Sequence, residues 1–255
     1  MAQPRNHQLR LHCLLYLVAD RICVPQTVHP DGSMAGALSA SEHRLARIAG
    51  SAIKAVMWDP PTARDGRRVF VPCRPPLAVL KMELAPRLLM AALLECRDRG
   101  LVELRLKEKR SQWRLGALAG NVRVVPLATP ALAGICGQIT KRLKEKGEQG
   151  AWRLFSGMMG NNGMTGGNYG GGWVIDQVES ELASHGYMRP TVMVRRWPAG
   201  EKVQAVVDCE QILSLAEDCT LAVDRWNRAW AADVSLCHAL LANCTEAMEP
   251  KGGGG

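Results

Sequence analysis

The chain has 255 residues, 47% hydrophobic but only 5% aromatic, and its 32 Lys and Arg outweigh 24 Asp and Glu for a formal charge of +8. That length supports a sizeable core of Leu, Ala, Val and Met, which leans toward helix packing, and the basic balance points to polyanions: nucleic acid, an anionic membrane face or phosphorylated ligands. The nine cysteines form no C-x-x-C pair and the six histidines make no zinc-ligand spacing with them, so they read as free, mostly buried thiols in a reducing compartment.

Leu9 to Asp20 is predicted as an apolar helix, the first wall of a core. Its run LHCLLYLVA ends at Asp20-Arg21, too short to span a bilayer, and the N-terminus has no signal-peptide pattern. Arg21 to Ser41 holds Pro25, Pro30 and Gly32 and is expected to be loop. Ser41 is a candidate N-cap for a helix toward Trp58, with Leu45, Ile48, Ala52 and Val56 at helical spacing and Asp59-Pro60-Pro61 ending it. Pro60 to Pro76 is basic and proline-rich, a linker or exposed hairpin.

Pro86 to Cys96 is the most apolar segment, apolar nearly all round, as expected of a helix at the centre of a bundle. Pro86 suits a first turn, and Arg97-Asp98-Arg99-Gly100 supplies a charged last turn and a glycine cap. Val102, Leu104 and Leu106 then alternate with Glu103, Arg105 and Lys107, a half-buried strand with Asn121 to Leu127 as its partner. Thr129 to Lys146 reads as a helix whose basic last turn complements the helix dipole.

The stretch from Ala151 to Met188 runs from an amphipathic segment at Trp152 through a glycine-rich loop into a helix from Trp173 to His185, stopped by Gly186. That helix is expected to face inward with Val174, Ile175, Val178, Leu182 and His185, and outward with Asp176, Glu179 and Glu181. Thr191 to Trp197 follows as a strand turned by Pro198-Ala199-Gly200. Glu201 to Met248, free of Gly and Pro, reads as two helices broken near Cys219-Thr220. The order buried helix, glycine cap, strand occurs twice, at 86–107 and 173–197, which is also how a winged-helix module reads.

No constellation for catalysis stands out. G-x-x-x-x-G-K-[ST] is absent, and no Lys lies between Gly147 and Arg189. Backbone N–H groups at Gly171, Gly172 and Trp173 could meet an anion, but a surface loop explains the glycines equally well. G-x-S-x-G is absent, and Ser184-His185 and Cys237-His238 are neighbours that need not face each other. Glu179 and Glu181 read as solvated acids. The expectation is therefore no enzyme, no cofactor and no metal site. Basic residues cluster beside Trp58, Trp113 and Trp197, which suits a membrane interface or nucleic acid.

Three segments carry a family resemblance. LLMAALLECRDRGLVEL (88–104), AWRLFSGMMGN (151–161) and WVIDQVESELASHGYM (173–188), together with the tail CHALLANCTEAME (237–249), resemble in content and order the Golgi phosphoprotein three-like family of peripheral membrane proteins. The resemblance implies one mainly α domain over 1–250, a helical core ringed by amphipathic helices with one or two short β-hairpins, followed by a disordered Gly tail at 251–255. It implies a non-catalytic adaptor for trafficking or retention on the cytosolic face of the Golgi. Such an adaptor binds anionic headgroups, phosphatidylinositol 4-phosphate among them, together with membrane-protein clients and further copies of itself. The implied headgroup residues are Trp58 and Arg87. Where the family's later helix carries two arginines, this chain has Gly172 and Ile175. Trp113 and Leu115 are the candidate membrane-contact residues at the hairpin tip. The alternatives are a winged-helix nucleic-acid-binding protein and a helical scaffold or assembly protein.

Overall fold

In the computed structural model the described residues are 9–24, 26–28, 34–35, 77–79, 81–107, 121–159, 170–194, 201–207 and 215–248. The expected helix at 41–58, the basic segment at 60–76 and the Gly tail lie outside them. Among the described residues seven α-helices run in the order α1 (Leu11–Leu17), α2 (Lys81–Asp98), α3 (Gly134–Lys146), α4 (Ala151–Met159), α5 (Gly170–Ser184), α6 (Ala216–Ala232) and α7 (Val234–Met248). Short antiparallel sheets lie between them: β1 (Gln26–Val28) with β2 (Met34–Ala35) and β3 (Leu77–Ala78); β4 (Val102–Lys107) with β5 (Asn121–Pro126) and β6 (Gln149–Gly150); and β7 (Met188–Val194) with β8 (Glu201–Val207). The chain is mainly α with short β-hairpins, as expected.

The centre is α2. Leu84, Leu88, Leu89, Met90, Leu93 and Leu94 are buried on every side of it, and it packs against α1, α3, α5 and α7. Full burial of each such side chain is worth about 1.5–3 kcal/mol, so this helix supplies much of the driving force. Pro86 sits inside α2 rather than in its first turn, because the helix begins at Lys81. The other end follows the sequence closely. Gly100 has φ +68°, its N–H donates to Arg97 O, and Leu101 N–H donates to Cys96 O, a Schellman closure.

The same closure ends α5. Gly186 has φ +81°, with Gly186 N–H donating to Ala183 O and Tyr187 N–H to Leu182 O. Both caps launch strands. β4 pairs with β5 in the register Arg105 opposite Arg123, and β7 pairs with β8 from Met188–Val207 to Val194–Glu201. The two helix–glycine–strand units do not stand apart: α2 packs directly on α5 within one hydrophobic cluster that also takes in α1, α3, α4, α6 and α7.

Several boundaries differ from the sequence reading. Strands β1 and β2 occupy part of the expected loop at 21–41, with pairing to each other and to β3 overriding the local turn signals. The helix expected from Thr129 starts at Gly134. Glu201–Val207 is strand, not helix: it pairs antiparallel with β7 along its whole length, and the alternation of Val203, Ala205 and Val207 fits a period of two. The break between the last two helices falls at Asp233, whose carboxylate accepts from Leu236 N–H at 2.8 Å; Cys219-Thr220 lies inside α6. The glycine-rich stretch is partly helical. Gly157 lies within α4, where the Arg142 guanidinium occupies the space a Cβ would need and donates to Gly157 O at 3.1 Å.

Candidate functional site

The chemistry-bearing side chains that the fold brings together lie at the junction of α1, α2, α3 and α5. Helix α1 is only seven residues long and every one of them is buried. A helix so enclosed must find internal partners for each polar group it carries. Its first turn has no side-chain cap of its own, since Arg10 stands at the N-cap. The cap comes from α2: Glu95, 2% exposed, accepts from Leu11 N–H through Oε2 at 2.8 Å. A carboxylate at this position also meets the positive end of the helix dipole. The other oxygen of Glu95 takes Arg99 at 2.7 Å.

His12, 0% exposed, follows at once. Its Nε2 lies 3.3 Å from Glu181 Oε2 on α5, and the second oxygen of Glu181 takes Arg10 Nε at 2.9 Å. Glu181 reaches this place because Gly134 leaves room: a Cβ on Gly134 would overlap the carboxylate. One residue pair further along, the Tyr16 hydroxyl donates to Glu179 Oε1 at 2.6 Å. The outward placement expected for Glu179 and Glu181 is thus wrong. The face of α5 that carries them lies against α1, where an acid is tolerated because histidine, arginine and a phenol supply the donors. Asp176 is exposed, as expected.

Three thiols complete the cluster. Cys13, Cys96 and Cys136 are buried and free. His12, Cys13 and Glu181 bring ligand atoms within 4.8 Å of one another, and so do His12, Glu95 and Cys136. The His12 Nδ1 atom faces Glu95 Oε2 at 3.8 Å and has no hydrogen-bond partner. A distance of 3.8 Å is not a hydrogen bond, and an unsatisfied buried polar atom costs about 1–3 kcal/mol.

The surroundings push the titrations apart. Burial alone would drive the proton off His12, but Cys13, Cys136 and Glu181 outweigh it and hold the imidazole well above the ordinary histidine value. Burial also opposes ionisation of Glu181, yet His12 and Arg10 bring it below the usual range. In Glu95, burial and then Cys136 prevail over His12, Leu11 N–H and Arg99, so its carboxyl is raised. Cys136 is lowered, first by a hydrogen bond from Cys96 and then, against burial, by His12 and Arg10, while the Cys96 thiol is raised. Burial and Glu179 raise the Tyr16 phenol, which therefore stays a donor. The arrangement can hold a proton or a cation among O, N and S donors. Substrate has little way in: His12, Glu95, Cys13 and Cys136 are at most 2% exposed.

Of the residues singled out from the sequence, the structure describes Arg87, which takes no part in this cluster. Arg87 is half-buried on α2 and donates through its guanidinium to Glu83 O at 2.8 Å. Trp58, Trp113 and Leu115 lie outside the described residues. The sequence reading missed His12, Glu95, Glu181 and Cys136 as a group. The available signal was polarity in the wrong place: a histidine in LHCLLYL and a glutamate in PRLLMAALLEC, each in a segment apolar all round.

A second charged region is the outer face of the β4–β5 hairpin. Val122 and Val124 are buried beneath it, while Arg105 and Lys107 are exposed. Arg105 stands directly opposite Arg123. Glu103 meets Arg105 at 2.8 and 2.7 Å, but Arg123 Nε is 4.0 Å from Glu148 and makes no hydrogen bond. Among the described residues no helix is long and apolar enough to cross a membrane. In comparisons with known proteins, the chain matches no protein-family model, no curated protein and no solved structure.

Proposed function

We propose that this chain is a non-catalytic peripheral membrane protein that binds anionic lipid headgroups and serves as a trafficking or retention adaptor. The observation that carries the reading is the β4–β5 face. Two arginines directly opposite each other repel, and their side chains are 56% and 35% exposed, so this face gains from an anion such as a lipid phosphate. The strands lead into the connector 108–120, whose sequence EKRSQWRLGALAG combines Lys109, Arg110 and Arg114 with Trp113 and Leu115. Cations beside an indole and an aliphatic side chain suit the headgroup level of a bilayer. The net charge of +8 adds long-range attraction. Arg87, with Trp58, is retained as the headgroup pair that the family resemblance implies, with phosphatidylinositol 4-phosphate as the preferred lipid and the cytosolic face of the Golgi as the location.

A winged-helix reading would use two separate modules, whereas α2 and α5 share one core, which favours the adaptor. The test is co-sedimentation with vesicles of phosphatidylcholine alone, with phosphatidylserine, and with phosphatidylinositol 4-phosphate, alongside a duplex DNA titration. Anionic vesicles should bind, more weakly as salt rises, and the double variant Arg105→Glu/Arg123→Glu should release them. Arg87→Ala should selectively weaken the phosphoinositide arm. Binding to DNA with none to any anionic vesicle would overturn the reading.

A further inference from the structure

We propose that His12, Glu95 and Cys136 form a structural binding site for a divalent cation of the zinc class, pinning α1 to α2 and α3. It is independent of the lipid reading, since its residues lie in the interior and not on the hairpin face. The donor set is one imidazole nitrogen, one carboxylate oxygen and one thiolate, the three ligand types that zinc accepts. Their atoms already lie within 4.8 Å of one another, and His12 Nδ1 is 3.8 Å from Glu95 Oε2. Donors at zinc bond lengths in tetrahedral geometry stand about 3.3–3.8 Å apart, so a small contraction brings all three onto one ion.

The choice of nitrogen follows from the partners. Nε2 faces Glu181 at 3.3 Å, whereas Nδ1 is buried and has no hydrogen-bond partner. Binding of the ion releases the imidazolium proton on Nδ1 to solvent, while the proton on Nε2, donated to Glu181, stays, so that the Nδ1 lone pair meets the ion. That is the carboxylate–histidine–metal arrangement by which proteins fix the tautomer and ring orientation of a ligand. Glu181 is itself held by Arg10, and Glu95 by Leu11 N–H and Arg99, so both carboxylates are oriented without the ion. The two carboxylates are matched by these two arginines, and the Cys136 thiolate meets one charge of the ion. The competing set of His12, Cys13 and Glu181 uses the nitrogen that already has a partner. At most 2% exposure of the three ligands makes this a structural site, with the Arg10–Glu181 rim, at 14% and 8% side-chain exposure, as its only more open side among these residues.

The experiment is titration of the chelator-treated full chain with cobalt(II) and then zinc(II). Cobalt should bind at one equivalent with visible ligand-field bands and a near-ultraviolet sulfur-to-metal charge-transfer band, and zinc should bleach both and raise Tm. Cys136→Ser should remove the charge-transfer band at unchanged helical circular dichroism, and Cys244→Ser, remote on α7, should not. Glu181→Gln should keep the band but weaken affinity about 10–100-fold. The proposal is overturned if the wild-type chain shows no sulfur-to-cobalt band, a result that stands even if Cys136→Ser does not fold. It is equally overturned if folded Cys136→Ser retains the band.

Discussion

The α1–α2–α5 junction and the β4–β5 face are both rich in charge, and they use it in opposite ways. In the junction, Arg10, His12, Glu95 and Glu181 sit at no more than 14% side-chain exposure, and each carboxylate serves donors from a different part of the chain. On the hairpin, Arg105 and Glu103 are two residues apart with side chains 56% and 44% exposed. Water screens the second pair and not the first. Charge therefore fixes structure in the interior, whereas on the hairpin it stays available to a partner.

Glu181→Ala should separate the regions most sharply. It strands Arg10 and His12 without their common carboxylate, and removing one partner of a buried pair costs about 3–5 kcal/mol, read as a fall in the urea midpoint. Leu93→Ala on α2 supplies the apolar benchmark, with a loss of about 2–5 kcal/mol because Leu93 is wholly buried. A Glu181 effect well below the Leu93 effect would mean that the junction is no more fixed than the surface.

Gly186→Ala tests the cap that α5 shares in kind with α2. A side chain at φ +81° is strained, so about 1–2 kcal/mol should be lost, measured by thermal or denaturant unfolding. The smallest change should come from Glu103→Ala, whose unfolding midpoint should stay at that of the wild type because water screens the pair. It should nevertheless strengthen anionic-vesicle binding by freeing Arg105. A large stability loss with no gain in binding would erase the distinction between the two regions.

Local signals made much of the frame legible. The all-round apolar run at 86–96 announced the central helix, Gly100 and Gly186 announced its cap and that of α5, and the alternation from Val102 to Leu106 announced β4. These depend on residues within one turn or one strand, where propensity and backbone sterics act. The same locality explains the errors. Strands β1, β2 and β8 exist through cross-strand partners, and β1 finds β3 some fifty residues away, which composition does not encode.

The junction is the extreme case. Glu95 lies 84 positions from the Leu11 N–H it caps, and Glu181 lies 169 positions from His12. By itself the sequence determined that a basic, mainly helical chain would bury α2 and close it with glycine. Only the tertiary structure decided that Glu181 turns inward and that His12, Glu95 and Cys136 meet. Hydrophobic burial sets which helices pack, without regard to the polar groups they carry, and those groups acquire their partners from where the packing leaves them.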